Sequence, residues 1–114
     1  MLEQDIADYR SEYLWEDSVV LGVRFEPHRC LLLVDCRKPN EDVQYSETEI
    51  VFTSVERFVL ALTAEMSAEP DGGLDLGDLN FEVVPEGVEV QIGAGKLFPF
   101  GQRVRMQFKS VGEF

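Results

Sequence analysis

The stretch Val19-Val20-Leu21-Gly22-Val23-Arg24-Phe25-Glu26-Pro27-His28-Arg29-Cys30-Leu31-Leu32-Leu33-Val34-Asp35-Cys36 decides the fold class. Its first eight residues alternate, Val19, Leu21, Val23 and Phe25 against Val20, Gly22, Arg24 and Glu26, which is the period of a strand with one buried face. Glu26-Pro27-His28-Arg29 interrupts the pattern, and Pro27, with a fixed φ and no backbone donor, suits a turn. The apolar run from Cys30 to Cys36 comes directly after, so the two runs are expected to form an antiparallel hairpin.

The two cysteines of the chain both fall in the second run. Six residues of extended chain separate their α-carbons by about 20 Å, whereas a disulfide needs less than ~7 Å. They cannot pair with each other in a strand. Even spacing puts them on one face with Leu32 and Val34, where they read as reduced, buried thiols.

Upstream, Leu2, Ile6, Tyr9 and Tyr13 recur at four, three and four residues with acids between them, the pattern of one short amphipathic helix. Downstream, Arg37 to Asp42 reads as a polar loop, and a third strand is expected near Glu49 to Ser54. Residues 55–66 admit two readings. Val55, Phe58, Val59, Leu62 and Met66 fit a helix face, while the short, continuously apolar run from Phe58 to Leu62 favours a strand over Arg57 to Ala64. Leu79 to Val84, the turn Pro85-Glu86-Gly87 and Val88 to Ile92 give a second strand-turn-strand unit, and Arg103 to Phe108 gives a last strand. The expected architecture is mainly β, an antiparallel sandwich or partly open barrel of five to seven strands with a short N-terminal helix. A helix at 55–66 would make it α+β.

At 114 residues and 45 % hydrophobic composition the chain is expected to form a single domain over 1–114, with enough apolar side chain to bury one core without disulfides or metals. Acid stands near the N-terminus where a secretory signal carries positive charge, and no apolar run approaches the ~20 residues that cross a bilayer. A soluble, cytoplasmic protein without a membrane partner is the expectation. The net charge of -12, from 22 acids and 10 bases, argues against nucleic acid, whose binding rests on neutralising phosphates.

Sites of chemistry are sparse. Asp71, Asp75 and Glu82 fall at positions 1, 5 and 12 of a calcium-loop template, but Gly73 and Leu76 break it, so the segment reads as a solvated acidic loop. Gly93-Ala94-Gly95-Lys96 lacks the first glycine and the final Ser or Thr of a phosphate-binding loop, and reads as a connection between strands. His28 is the only histidine, so neither a Ser-His or Cys-His triad with a second histidine nor a multi-histidine metal site can be built, and no catalytic, cofactor or metal residues are assigned. The protein is expected not to be an enzyme.

Charge placement says more. Eight acids and no base lie between Glu65 and Glu89, whereas Lys96, Arg103, Arg105 and Lys109 occupy a stretch with no acid until Glu113. An acidic surface steers a basic partner into contact. Asp71, Asp75 and Asp78 are therefore candidate partner-binding residues, although a charge run also serves solubility alone. Phe98 and Phe100, in what reads as a Pro and Gly loop over 97–101, and Trp15, beside the helix, are candidate interface anchors, with core packing as the other reading.

The run from Trp15 to Phe25, the strand Cys30 to Val34 and the segment Ile50-Val51-Phe52-Thr53-Ser54-Val55 resemble the opening of certain small, β-rich bacterial domains. Several of those are uncharacterised, and some are classed as immunity proteins of polymorphic toxin systems. The resemblance covers about the first half of the chain and carries no catalytic residue across. It implies a binding protein that occludes a toxin, and the acidic surface suits a basic one. The expected function is a non-enzymatic acidic binding module, such as an immunity-like inhibitor of a basic protein. A structural homo-oligomer pairing strand edges is the second reading, and a small-molecule binding barrel the third.

Overall fold

The expected hairpin is present in the computed structural model, which describes residues 1–13, 18–36, 46–62, 79–93 and 95–111. Strand β1 (Val19–Glu26) pairs antiparallel with β2 (Arg29–Cys36), from Val19 opposite Asp35 to Glu26 opposite Arg29. Between them His28 takes φ 61, a left-handed conformation that histidine adopts more readily than most side chains. Two bonds to Val55 hold it there: the Val55 N–H donates to the His28 carbonyl at 3.0 Å, and His28 Nδ1 lies 3.2 Å from the Val55 carbonyl oxygen.

The alternation of β1 breaks at one place. The register shifts between Val20 and Gly22, a bulge that leaves one residue unpaired and reverses the facing of the rest of the strand. Val20 is therefore buried opposite Val34, Leu21 is exposed, and Val23 packs against the core opposite Leu32. Before the bulge the inward residue is even-numbered Val20, and after it Val23 and Phe25 face inward, so no single parity serves the whole strand.

Strand β3 (Ser46–Thr53) pairs with β2, and β8 (Arg105–Val111) pairs with β3, giving a first sheet in the order β1-β2-β3-β8. The second sheet is nested between β3 and β8 in the chain. Strands β4 (Arg57–Leu62), β5 (Asn80–Val84), β6 (Gly87–Ile92) and β7 (Gly95–Phe100) lie in the order β4-β7-β6-β5, a Greek-key arrangement in which every pair is antiparallel. The segment from Arg57 is thus a strand, as its short apolar run suggests, and the α+β alternative is removed. Neither sheet closes on itself.

The eight strands among the described residues exceed the expected five to seven because residues 95–100, expected as loop, form β7. Gly95 and Lys96, likewise expected in a connection, are its first two residues and pair with Ile92 and Gln91. Pro99 explains the misreading. A proline seldom occupies a strand flanked on both sides, because it cannot donate to the ladder. Here β6 and β7 pair from Ile92 to Val90 and again at Gly87 opposite Phe100, with Pro99 in the gap. At Gly87 the backbones approach so closely that a Cβ would lie 2.2 Å from the Pro99 carbonyl oxygen.

The inner faces of the two sheets supply one core, in which Leu32, Val34, Ile50, Phe52, Val90 and Leu97 are fully buried. Cys30 and Cys36 lie in it as free thiols. Helix α1 (Leu2–Glu12) closes one open side of the sandwich, contacting β8 and β5 and burying Leu2, Ile6 and Tyr9. Tyr9 stacks on Tyr13 and meets the ring edges of Phe81 and Phe108 at 5.7 and 5.4 Å. On the other open side Phe25 and Phe58 bridge the sheets with ring centroids 4.2 Å apart. No helix among the described residues is long and apolar enough to cross a membrane.

Candidate functional site

Alternation along β7 sets the geometry of the outer face of the second sheet. Gly95, Leu97 and Pro99 are buried, while Lys96, Phe98 and Phe100 lie on the solvent side. The two phenylalanines are half-buried and stacked, with centroids 5.6 Å apart and planes 14° from parallel. Neither plugs the core, and neither lies in a loop. Register brings Val59 of β4 opposite Phe98 and Arg57 opposite Phe100, and the Arg57 guanidinium lies 4.7 Å from the Phe100 centroid. The result is an apolar stripe of Val59, Phe98 and Phe100 with one cation at its end.

The end of the stripe is fixed by backbone. The Glu56 N–H donates to the Phe100 carbonyl at 2.7 Å, and the Gly101 N–H donates to the Glu86 carbonyl at 2.8 Å. Glycine is required at 101, since a Cβ there would meet the Ser54 carbonyl oxygen at 2.5 Å. Phe100 is therefore presented on a rigid support, with Glu56 and Glu86 at its rim.

Acid borders the other flank. Glu82 on β5 and Glu89 on β6 are directly opposed, a like-charge pair that a neighbouring cation must relieve. Lys96 does so, with its Nζ 2.9 Å from Glu89 Oε1, and the ammonium holds the Glu89 carboxyl below the usual carboxylate range. Glu82, Glu86 and Glu56 remain exposed.

Of the residues singled out in the sequence, only Phe98 and Phe100 are brought together. Trp15, Asp71, Asp75 and Asp78 lie outside the described residues, and with them two members of the calcium-like template, while its third, Glu82, points outward from a strand. Twelve of the acids and eight of the bases are described, so most of the negative excess falls on the remaining residues. Three of the four bases in the locally basic C-terminal stretch form ion pairs: Lys96 with Glu89, Arg105 with Asp5 and Lys109 with Glu49. Arg57 and Val59 are not singled out by sequence reading. Their signal is their place in a run that is apolar at both odd and even positions, which becomes meaningful only once β7 is known to lie beside it.

Other sites offer less. A surface groove of about 510 Å³ lies between the start of α1, the β5–β6 turn and residues 101–105, outside the sandwich interior. Among the described residues no group of three or more His, Cys, Asp and Glu side chains is placed to hold a metal ion. Burial pushes the Cys30 thiol up to about 12, far from the range of a reactive thiolate. Comparisons with protein-family profiles, with curated proteins and with solved structures give no match.

Proposed function

We propose that the protein is a non-enzymatic, cytoplasmic binding module that occludes a basic protein partner, in the manner of the immunity proteins its first half resembles. The observation that carries this reading is the Phe98–Phe100 stack, half-exposed on a solvent-facing sheet and capped by Arg57. Aromatic and arginine side chains together on a solvent-facing sheet, rimmed by charge, are the composition of an interface hot spot. The acidic rim of Glu56, Glu82 and Glu86 and the net charge of -12 supply long-range attraction for a cationic surface.

Affinity purification of the tagged chain from its host, at ~50 mM and then ~500 mM salt, tests it, because surface attraction is screened over that range. The expected result is a basic protein retained at low salt, shed at high salt, and absent when Phe98→Ser and Phe100→Ser are combined. No retained protein, or retention indifferent to salt and to the double substitution, overturns the reading.

A further inference from the structure

A four-stranded sheet has two edges, so this sandwich has four, and three of them are blunted. On β8 the Met106 N–H donates to Asp5 Oδ2 at 3.1 Å. On β5 the Phe81 carbonyl accepts from Arg10 Nη2 at 2.8 Å. β1 carries the bulge at Leu21 together with Arg24 and Glu26, devices that discourage edge pairing. Among the described residues β4 shows neither a bulge nor a side chain capping its outer backbone. It pairs with β7 without a register shift from Arg57 opposite Phe100 to Leu62 opposite Gly95, contains no proline, and has one charged residue in six.

The sequence of β4 is that of a strand inside a sheet. Outward it presents Val59 and Ala61 after Arg57 at its start, and on the core side Phe58 and Leu60, whose neighbour Leu97 is fully buried. An apolar edge strand whose outer row of backbone groups is open is a template for pairing with another strand. Among the described residues no strand lies on its outer side, and Val59 and Leu60 are 39 % and 45 % exposed on opposite faces of the same edge.

We propose that β4 pairs antiparallel with β4 of a second copy across a two-fold axis, joining two four-stranded sheets into one of eight. Of the strands available, β4 itself has the required character, apolar at both parities. An amphipathic strand from another protein would lay polar residues beside Val59 or Leu60. Matching inner and outer faces requires like parity across the axis, and Val59 opposite Val59 of the second copy satisfies it. Arg57 then faces Ala61 and Phe58 faces Leu60, which keeps the two Arg57 side chains about 13 Å apart along the strands, beyond the screening length at physiological salt. With one open edge per chain among the described residues, the pairing closes as a dimer and does not propagate. It also lays the two Phe98–Phe100 stripes on one continuous face.

This inference stands apart from the docking reading, and salt separates the two. Two chains of net charge -12 repel, so salt strengthens the dimer while it weakens capture of a basic partner. Sedimentation of the full chain from ~5 to ~500 µM is expected to show a monomer–dimer equilibrium that moves toward dimer with concentration and with salt. Val59→Lys is expected to shift it at least tenfold toward monomer without altering the circular dichroism spectrum, and Leu21→Lys on the β1 edge to leave it unchanged. Should Val59→Lys fail to fold, Val59→Cys decides. Directly opposed residues lie within disulfide range, Cys30 and Cys36 are fully buried, and mild oxidation is expected to yield a covalent dimer from Val59→Cys and none from Leu21→Cys. A monomer throughout, a dimer indifferent to Val59→Lys, no covalent dimer from Val59→Cys, or a lone monomer that pairs β4 only with a basic partner overturns the inference.

Discussion

Asp5 and Arg105, one hundred positions apart in the chain, are joined by two hydrogen bonds: Arg105 Nε donates to Asp5 Oδ2 at 2.6 Å and Nη2 donates to Oδ1 at 2.8 Å. The same carboxylate accepts the Met106 N–H, so a single side chain on the first turn of α1 ties the helix to the backbone edge of β8. Asp5→Ala leaves that N–H without its partner and removes an acid from the favourable end of the helix dipole. A loss of about 1–3 kcal/mol is expected, read as a lower denaturant midpoint at unchanged slope.

The same contact contributes to the pH dependence of stability. The Arg105 guanidinium holds the Asp5 carboxyl below the ordinary carboxylate value, and Lys96 does the same for Glu89. Where the folded pKa is the lower, the unfolded chain binds more protons, so this stability is present above the ordinary carboxylate range and is lost as pH falls through and below it. Urea denaturation between pH 7 and pH 2 is expected to show a progressive acid-side loss, and Asp5→Asn to make that slope shallower. An unaltered slope in the variant would assign the acid sensitivity to other groups.

At alkaline pH the sign reverses. Burial raises the Cys30 thiol to about 12 from an ordinary 9.0, and the Tyr9 hydroxyl rises as well. A raised folded pKa means that the unfolded chain gives up its proton first, so stability is full below about pH 9 and declines as pH climbs toward 12. In the native protein neither Cys30 nor Cys36 is expected to react with a thiol reagent within minutes at pH 8, and both to react at once in denaturant. Rapid modification of the folded chain would contradict their burial.

Two glycines are irreplaceable for reasons of space. Gly87→Ala sets a methyl group against the Pro99 carbonyl at a φ of 154, and Gly101→Ala sets one against the Ser54 carbonyl. Both obstacles are backbone and cannot turn aside. Each substitution is expected to cost more than about 2 kcal/mol, visible as a fall in Tm of several degrees. Gly22→Ala meets nothing within 4 Å and is expected to change Tm by a degree or two at most.

Much of the fold was legible in the sequence because its signals are local. The hairpin at Pro27-His28, the helix spacing of Leu2, Ile6, Tyr9 and Tyr13, and the shared face of Cys30, Leu32, Val34 and Cys36 all come from short-range periodicity. The features that escaped it have long-range causes. Pro99 argues against a flanked strand, and only the gap in the β6–β7 ladder accommodates it. The bulge at Leu21 inverts a pattern that reads as strict alternation. Phe98 and Phe100 carried signal as aromatics, but their placement on a sheet face depends on Arg57 and Val59, about forty residues earlier, being the neighbours of β7. No periodicity reports which strand lies beside which.

The nesting of one sheet inside the other has a consequence for synthesis. The partners of α1 on β5 and β8 are drawn from the other end of the sequence, so the helix leaves the ribosome long before there is anything to dock upon. Until β8 is made, α1 lacks its docking surface there and the β1–β2–β3 meander has β3 unpaired on one side. The arrival of β8 completes the first sheet, and with its Met106 N–H and Arg105 side chain it supplies the contacts that draw the helix home.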